Sequence, residues 1–574
     1  MIRSMIRSEV QHTKVTPRAA RGMVVAEHPI GAEVGAGVLA RGGNAVDAAV
    51  ATAFAMPVVE PFMSTMGGGG SFLVHMARRG ETLAYDANVE APAACHERCY
   101  DLAEGTVKDL FTWRKVVGDA NIHGAKAVAV PGSVAGLCAL LARHGTMDLA
   151  DVMAPAIQLA EEGFVPDWYV ALTIAISTEE VRTYPETART YLRNGRDIFR
   201  PASMGDGDVL RQPDLARSLR LVAKEGADAF YRGELAERIT EHVQALGGWL
   251  TREDLAAYAP RVLSPLRGEY RGVGLAFMPG ATGGVTSLQI LNLWQQFPSA
   301  RLSYATARGL HLRAEAIRLA FEDRLRLLGD ALRVSAPWGG LLSASYAREV
   351  GRAIRAAGPL ARPERDPWAH EPGRPGAVAT ASRRGGPRGS DCTTHIGVID
   401  RQRNMVSLTN TAVGLFGSRL VVPETGVLLG NGMMWFDPEP GHVNSIEPGK
   451  RPLVNMVPVL GFRGDEPSFT LGAPGGRKIV GTIPQVISNL IDAKDAPQKA
   501  MDAPRLHTEG EDLLIDDRVG PQRLEALRKM GHGVKPVEVG PASFHFARPI
   551  AIRVTRQGLE AGLDPFSDAS AAGH

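Results

Sequence analysis

The chain has 574 residues, 44% of them hydrophobic, enough for one large fold or for two to four domains with a substantial core. Its 64 Lys and Arg nearly balance 62 Asp and Glu, leaving a formal net charge of +2, so no global field draws it to nucleic acid or an anionic membrane. Four cysteines exclude a disulfide framework, and the longest nearly apolar stretch, residues 48–59, is too short to span a bilayer and contains Pro57.

Residues 1–21 are polar and basic without an apolar core, which predicts a disordered tail rather than a secretory signal and a cytoplasmic protein. A short strand is predicted at 23–26, followed by helices at 34–41 and 45–56 that are rich in small residues. Gly35-x-Gly37-x-x-Ala40 imitates a dinucleotide fingerprint, but it falls inside a helical stretch and away from the preceding strand. The glycines at 67–70 lack the Lys-Ser/Thr ending of a phosphate loop, so close backbone packing is expected there. Cys95-His96-x-x-Cys99 has no second ligand pair at zinc spacing, and helix packing is expected instead. No metal and no cofactor are expected. Further helices are predicted at 137–143, 152–162, 235–246, 287–296 and 306–328. Gly247-Gly248 serves as a C-cap, and Thr251-x-x-Asp254 opens the next helix as a capping box.

From 358 to 392 the sequence holds six Pro, six Gly and six Arg, with Leu360 and Val378 as the large aliphatics. Such a segment buries too little apolar surface to offset its ordering entropy and is expected to be a flexible linker. It separates a part at 22–357 from a part at 393–574. The second part opens with β-rich segments at 393–400 and 405–409 around the polar tetrad Arg401-Gln402-Arg403-Asn404, a predicted hairpin. A strand at 468–471 and a helix at 477–491 follow.

Chemistry-bearing residues gather where the linker ends. Asp391-Cys392-Thr393-Thr394-His395 places a thiol, two hydroxyls and an imidazole together. A Thr hydroxyl needs an adjacent base to be nucleophilic; cutting the chain before it would supply its own α-amine, with a pKa near about 7.7–8.0. The plainer reading is an ordinary strand. Gly472-Ala473-Pro474-Gly475-Gly476 lies between predicted strand and helix, where bare N–H groups favour an anion; the alternative is a tight turn that needs glycine. No His-Glu-x-x-His or Gly-x-Ser-x-Gly element is present, so neither a metalloprotease nor an α/β-hydrolase is supported.

Several segments, in order, resemble the γ-glutamyltransferase family of N-terminal nucleophile hydrolases. They are Gly42-Gly43-Asn44-Ala45-Val46-Asp47-Ala48-Ala49, Val59-Glu60-Pro61 through Gly70, Pro131-Gly132-Ser133, Thr393-Thr394-His395 through Asp400, Lys450-Arg451-Pro452-Leu453 and Pro474-Gly475-Gly476. The resemblance implies an α+β fold, a four-layer αββα sandwich built jointly by two subunits of one precursor that cleaves itself between Cys392 and Thr393. It implies Thr393 as nucleophile with its α-amine as base, Thr411 as the hydroxyl that orients it, and Gly475 and Gly476 as the oxyanion hole. Cys392 is the competing nucleophile. The expected partners are a small-molecule amide and the two subunits for each other, with no nucleic acid and no membrane.

The acyl-binding positions depart from the family pattern. Asn88 stands where the transpeptidases place a clamping Arg, and Val413, Gly432 and Trp435 replace the Asn, Gln/Glu and Asp that hold the glutamyl α-amine and carboxylate. Val454 and Asn455 replace the paired serines. An Asn offers no charged bidentate fork, so the resemblance implies an amidohydrolase or acyltransferase with a rebuilt, less charged acyl pocket. The alternatives are a true glutathione hydrolase in which Arg98, Arg451 or Arg477 supplies the clamp, and a structural or binding homologue that never matures.

Overall fold

The computed structural model describes residues 13–106, 113–356, 364–373, 391–510 and 512–574. Its centre is the predicted hairpin. Strand Asp391–Ile399 runs antiparallel to Met405–Gly414 through a turn in which Arg403 takes a φ of +66°. Asp400 sets that turn as Asp side chains do, by accepting local N–H groups. Its Oδ1 accepts from Gln402 and Asn404 at 2.8 and 3.0 Å, and its Oδ2 accepts from the N–H of Ala45 at 3.0 Å. The hairpin is thereby tied to helix Ala45–Val59, whose start Asn44 and Asp47 close as a capping box.

Two seven-stranded sheets grow around this hairpin. The first runs Ser570–Gly573, Met23–Ala26, Asp391–Ile399, Met405–Gly414, Gly69–Met76, Glu81–Ala87, Arg261–Leu263. The second runs Arg18–Ala19, Gly558–Gly562, Ile550–Thr555, Glu466–Gly472, Val459–Arg463, Val273–Phe277, Leu266–Tyr270. Both sheets interleave strands from before and after residue 392, so neither part completes a sheet alone. Side chains alternate along each strand, and every inner strand therefore buries both faces. Met23, Val25, Leu73, Ile399 and Met405 meet Leu460, Phe462, Ile550 and Ile552 between the sheets. On the outer face of the first sheet, Val24, Phe72, Val74, Ile396, Val398 and Leu408 pack on helices Pro29–Ala40 and Ala45–Val59. On that of the second, Phe277, Val459, Phe469 and Leu471 pack on Gly283–Trp294, Ala307–Leu327 and Lys478–Ile491. The result is the four-layer αββα sandwich. Among the described residues no helix is long and apolar enough to cross a membrane.

Three local expectations change. Residues 1–12 lie outside the described residues, but 13–21 are not a free tail: Arg18–Ala19 pairs with Gly558–Gly562, and the Ala561 N–H donates to Pro17 O at 3.0 Å. Within the expected linker, 364–373 is anchored: Trp368 is buried, and Arg365 donates to Leu319 O at 2.8 Å and pairs with Glu322 at 2.6 Å. A tally of aliphatics overlooks what one aromatic ring and one guanidinium can anchor; the remainder of 358–390 lies outside the described residues. Around Cys95 and Cys99 the chain makes successive turns, Cys95 N–H to Pro92 O at 2.9 Å and Cys99 N–H to His96 O at 3.0 Å, rather than the expected helix. The glycines at 67–70 do serve close packing, since a Cβ on Gly68 would collide with the carbonyl oxygen of Thr411.

Candidate active site

Thr393 sits where the central strand pair slips its register. Cys392 pairs with Val413 and Thr394 with Asn410, so Thr411 and Ala412 stand opposite the single Thr393. Such an irregularity re-aims side chains. Thr393 Oγ1 donates to Thr411 Oγ1 at 3.3 Å. Thr411 Oγ1 in turn donates to the Cys392 carbonyl at 2.5 Å and accepts the Val413 N–H at 2.8 Å. Val413 adopts φ +83°, a left-handed conformation that a β-branched residue resists. That turn brings its N–H back onto the Thr411 hydroxyl. Thr411 thus polarises the carbonyl that precedes Thr393 while offering a lone pair to the Thr393 proton. Thr411→Val, which removes the hydroxyl and keeps the shape, is expected to slow chain cleavage by about 10²-fold or more, the scale of one lost oxyanion donor. Band densitometry over time checks this, with Thr411→Ser restoring most of the rate.

The neighbouring side chains divide by strand alternation. His395 lies between the sheets, with Nδ1 2.9 Å from Thr409 Oγ1 and Nε2 3.4 Å from Ser407 Oγ. Burial pushes its pKa down to about 3, and a Cβ on Gly472 would collide with its ring. It is a neutral spacer, not a base. Thr394 points to the helical layer and donates to Glu60 Oε2 at 3.1 Å. Cys392 is buried in an apolar cluster with Phe62, Tyr169 and Phe416.

Gly475 and Gly476 lie on the connection between strand Glu466–Gly472 and helix Lys478–Ile491. Their φ values are +128° and +58°, and a Cβ on Gly475 would collide with the backbone Cα of Ala547. The Ile479 N–H returns to Gly476 O at 3.0 Å, placing the pair just ahead of a helix start, where N–H groups favour negative charge. The strand that delivers it lies over the partner of the Thr393 strand: Ser407 Oγ, on Met405–Gly414, donates to Leu471 O at 3.1 Å. Arg477, next along, is buried and pairs with Glu509 at 3.3 Å.

Val413, Trp435 and Val454 share one buried apolar cluster with Val89, Ala91, Met433, Phe436 and Met456. Gly432 opens the short turn Gly432–Trp435, and a Cβ there would lie 2.6 Å from Val89 Cγ2, so no longer side chain fits. Asn88 precedes Val89 at the end of strand Glu81–Ala87. Its Nδ2 donates to Asp86 Oδ1 at 2.6 Å and Ser71 Oγ at 3.2 Å. Val454 and Asn455 are held from behind by Arg324, which donates to Val454 O at 2.7 Å and Asn455 Oδ1 at 3.1 Å. Two of the alternative arginines are buried in ion pairs, and the third lies at the surface. Arg451 pairs with Asp86 and Glu90, each at 2.8 Å; Arg477 pairs with Glu509; Arg98 is 77% exposed beside Glu97.

Sequence reasoning assigned no role to Glu60, Arg324 or Arg548. Glu60 belongs to the Val59-Glu60-Pro61 motif, but nothing local to Arg324 marks its partners about 130 residues away. His28, Asp167 and Asp568 bring one ligand atom each within 4.8 Å of one another. His28 Nδ1 accepts the Ile30 N–H at 3.2 Å, which leaves the ring hydrogen on Nε2, facing Asp167 Oδ2 at 3.1 Å. That tautomer offers a donor and not a lone pair, which suits a hydrogen-bonded chain rather than a metal cradle.

Comparison with known proteins agrees with this geometry. The Gamma-glutamyltranspeptidase family model matches residues 31–574. The acylase ACY 1 proenzyme of Pseudomonas sp. (strain SE83) is 37% identical over 515 residues, covering 90% of this chain and 87% of its own. The glutathione hydrolase proenzyme of Bacillus subtilis (strain 168) is 34% identical over 529 residues, with 90% and 86% covered. Among solved structures, cephalosporin acylase from Bacillus halodurans superposes with a TM-score of 0.84 at 28% identity, covering 100% of this chain and 99% of that one. An αββα sandwich with a threonine at the register slip, matched along nearly its whole length, makes this chain a member of the gamma-glutamyltranspeptidase family, an enzyme of amide-bond cleavage and acyl transfer.

Proposed function

We propose that this protein is an autoprocessed threonine amidohydrolase and acyltransferase whose acyl pocket takes a group lacking the amino-acid zwitterion of a γ-glutamyl chain. The observation that carries this reading is the merging of Val413, Trp435 and Val454 into one apolar cluster, with Val89 filling the space beside Gly432. A γ-glutamyl α-amine and carboxylate placed there would forgo several charge-assisted hydrogen bonds, each about 1.5–3 kcal/mol.

In the uncleaved chain Thr393 Oγ1 attacks the Cys392 carbonyl that Thr411 polarises, and the acyl group moves from nitrogen to oxygen. Water then hydrolyses the ester, releasing the Cys392 carboxylate and the α-amine of Thr393. That amine takes the Thr393 hydroxyl proton during attack on a substrate amide. The N–H groups of Gly475 and Gly476 stabilise the tetrahedral oxyanion, the leaving amine departs protonated, and water or a second amine accepts the acyl group. The two fragments, 1–392 and 393–574, remain one heterodimer because both sheets interleave them. That the acylase and hydrolase relatives are both proenzymes supports the processing step.

A substrate panel tests the pocket. Loss of two charged hydrogen bonds predicts that kcat/KM for γ-glutamyl-p-nitroanilide falls about 10²-fold or more below that for a des-amino or uncharged acyl analogue such as glutaryl- or butyryl-p-nitroanilide. γ-Glutamyl turnover equal to or above the analogues overturns the rebuilt pocket and makes the enzyme a glutathione hydrolase.

A further inference from the structure

The hydroxyl next to the nucleophile is held by a buried acid that the mechanism above does not use. Glu60 ends helix Ala45–Val59, its N–H donating to Met56 O at 2.7 Å and its carbonyl accepting from Met63 and Ser64 at 3.0 and 3.2 Å. The loop so formed grips the strand opposite Thr393: the Ala412 N–H donates to Met63 O at 2.9 Å, and Asn410 Nδ2 donates to Ser64 Oγ at 2.9 Å. Asn410 and Ala412 flank Thr411, and Thr394 pairs with Asn410. Glu60 therefore touches both strands of the slipped register, one through its loop and the other through Thr394 Oγ1 at 3.1 Å.

We infer that Glu60 is a positioning residue for Thr393, locking the register slip by the hydrogen bond its side chain accepts from Thr394. The inference rests on Thr393 being the nucleophile.

The surroundings fix the protonation state in which that bond is made. Glu60 is buried at a helix C-terminus, where the dipole already disfavours an anion. Glu27 faces it from the end of strand Met23–Ala26, Asp167 and Tyr169 from the start of helix Trp168–Ile176, and Asp568 from the segment before Ser570–Gly573. Arg548, engaged with Tyr169 Oη at 2.5 Å and with the carbonyls of Pro541 and Ser543 at 2.9 Å each, is the cation that faces it. Burial pushes the Glu60 carboxyl up to about 8, and Asp167 adds to the rise against the bond from Thr394. At pH 7 Glu60 is neutral and compatible with its acidic neighbours. Above about 8 it ionises, and the bond from Thr394 is kept, because a carboxylate oxygen is the stronger acceptor for that hydroxyl. Alignment is thus held on both sides of the raised pKa.

The test is chain cleavage of freshly purified precursor from pH 6 to 10, with steady-state turnover of the matured protein alongside. In the wild type the cleavage rate should show no alkaline fall that Glu60→Gln lacks, because the bond from Thr394 is made on both sides of the raised pKa. Glu60→Gln, which keeps the acceptor, should mature within about threefold of wild type at every pH. Glu60→Leu and Thr394→Val should mature at least tenfold more slowly at every pH. Circular dichroism separates slow maturation from misfolding in Glu60→Leu, and the other two variants decide the matter if it does not fold. Thr394→Val cleaving at the wild-type rate, or Glu60→Gln cleaving as slowly as Glu60→Leu, overturns the role of Glu60. Either result, with Thr393→Ala still uncleaved, leaves the nucleophile assignment standing.

Discussion

Thr393→Ala chains are expected to remain in one piece and to be inert. In the proposed mechanism the hydroxyl that lies 3.3 Å from Thr411 Oγ1 opens the Cys392 carbonyl, and without it no α-amine is released and no acyl-enzyme forms. Removing both nucleophile and future base should lower maturation and turnover by about 10⁴-fold or more, the scale on which interdependent catalytic groups fail together. Thr393→Ser should mature, more slowly, because it keeps the oxygen and loses the methyl group that fixes its rotamer. Chemical sequencing of active wild-type protein should return a second amino terminus reading Thr-Thr-His-Ile-Gly. Cys392→Ala separates the competing nucleophile: its thiol lies among Phe62, Tyr169 and Phe416, so the variant should still cleave after residue 392. A second amino terminus in Thr393→Ala, or none in active wild type, would falsify the assignment.

Gly475→Ala should damage turnover severely. At φ +128° an L-residue is strained wherever it points, at about 1–3 kcal/mol, and here the new Cβ also meets the Cα of Ala547. Backbone cannot swing aside as a flexible side chain would, so the connection to helix Lys478–Ile491 must shift and take the N–H groups with it. The expected result is a kcat lowered by about 10²–10³-fold with KM little changed, together with a lower melting temperature. Gly476→Ala is a useful companion. Its φ of +58° lies in the left-handed well, where a side chain costs only about 1–2 kcal/mol, so its kcat should suffer less. Stopped-flow and steady-state kinetics on protein matured as wild type check both. If Gly475→Ala turns over within a few-fold of wild type, the glycine pair is a turn and not an oxyanion hole.

Much of the layered architecture was legible in one dimension, because the signals behind it are short-ranged. Helix Lys478–Ile491 follows from apolar spacing, the Thr251–Asp254 capping box from two residues three apart, and the central hairpin from a polar tetrad between β-rich runs. The ordered motifs around Thr393, Asp400 and Gly475-Gly476 sufficed to name the family. Composition failed where a few strong contacts outweigh an average, as at Trp368 in the Pro- and Gly-rich segment and at Arg18–Ala19 in the tail.

The amino-acid sequence alone therefore determined many of the individual helices and strands. Through its ordered family motifs it implied the layers, Thr393 as the proposed nucleophile and the absence of the family's charged acyl-binding residues, since each motif depends on residue identity and on neighbours a few positions away. Tertiary structure alone decided that Thr393 faces Thr411 across a slipped register, that Arg451 is already committed to Asp86 and Glu90, and that Glu60 reaches Thr394, 334 residues along the chain. Register and charge pairing are set by which distant segments share a buried space, and no local pattern encodes that.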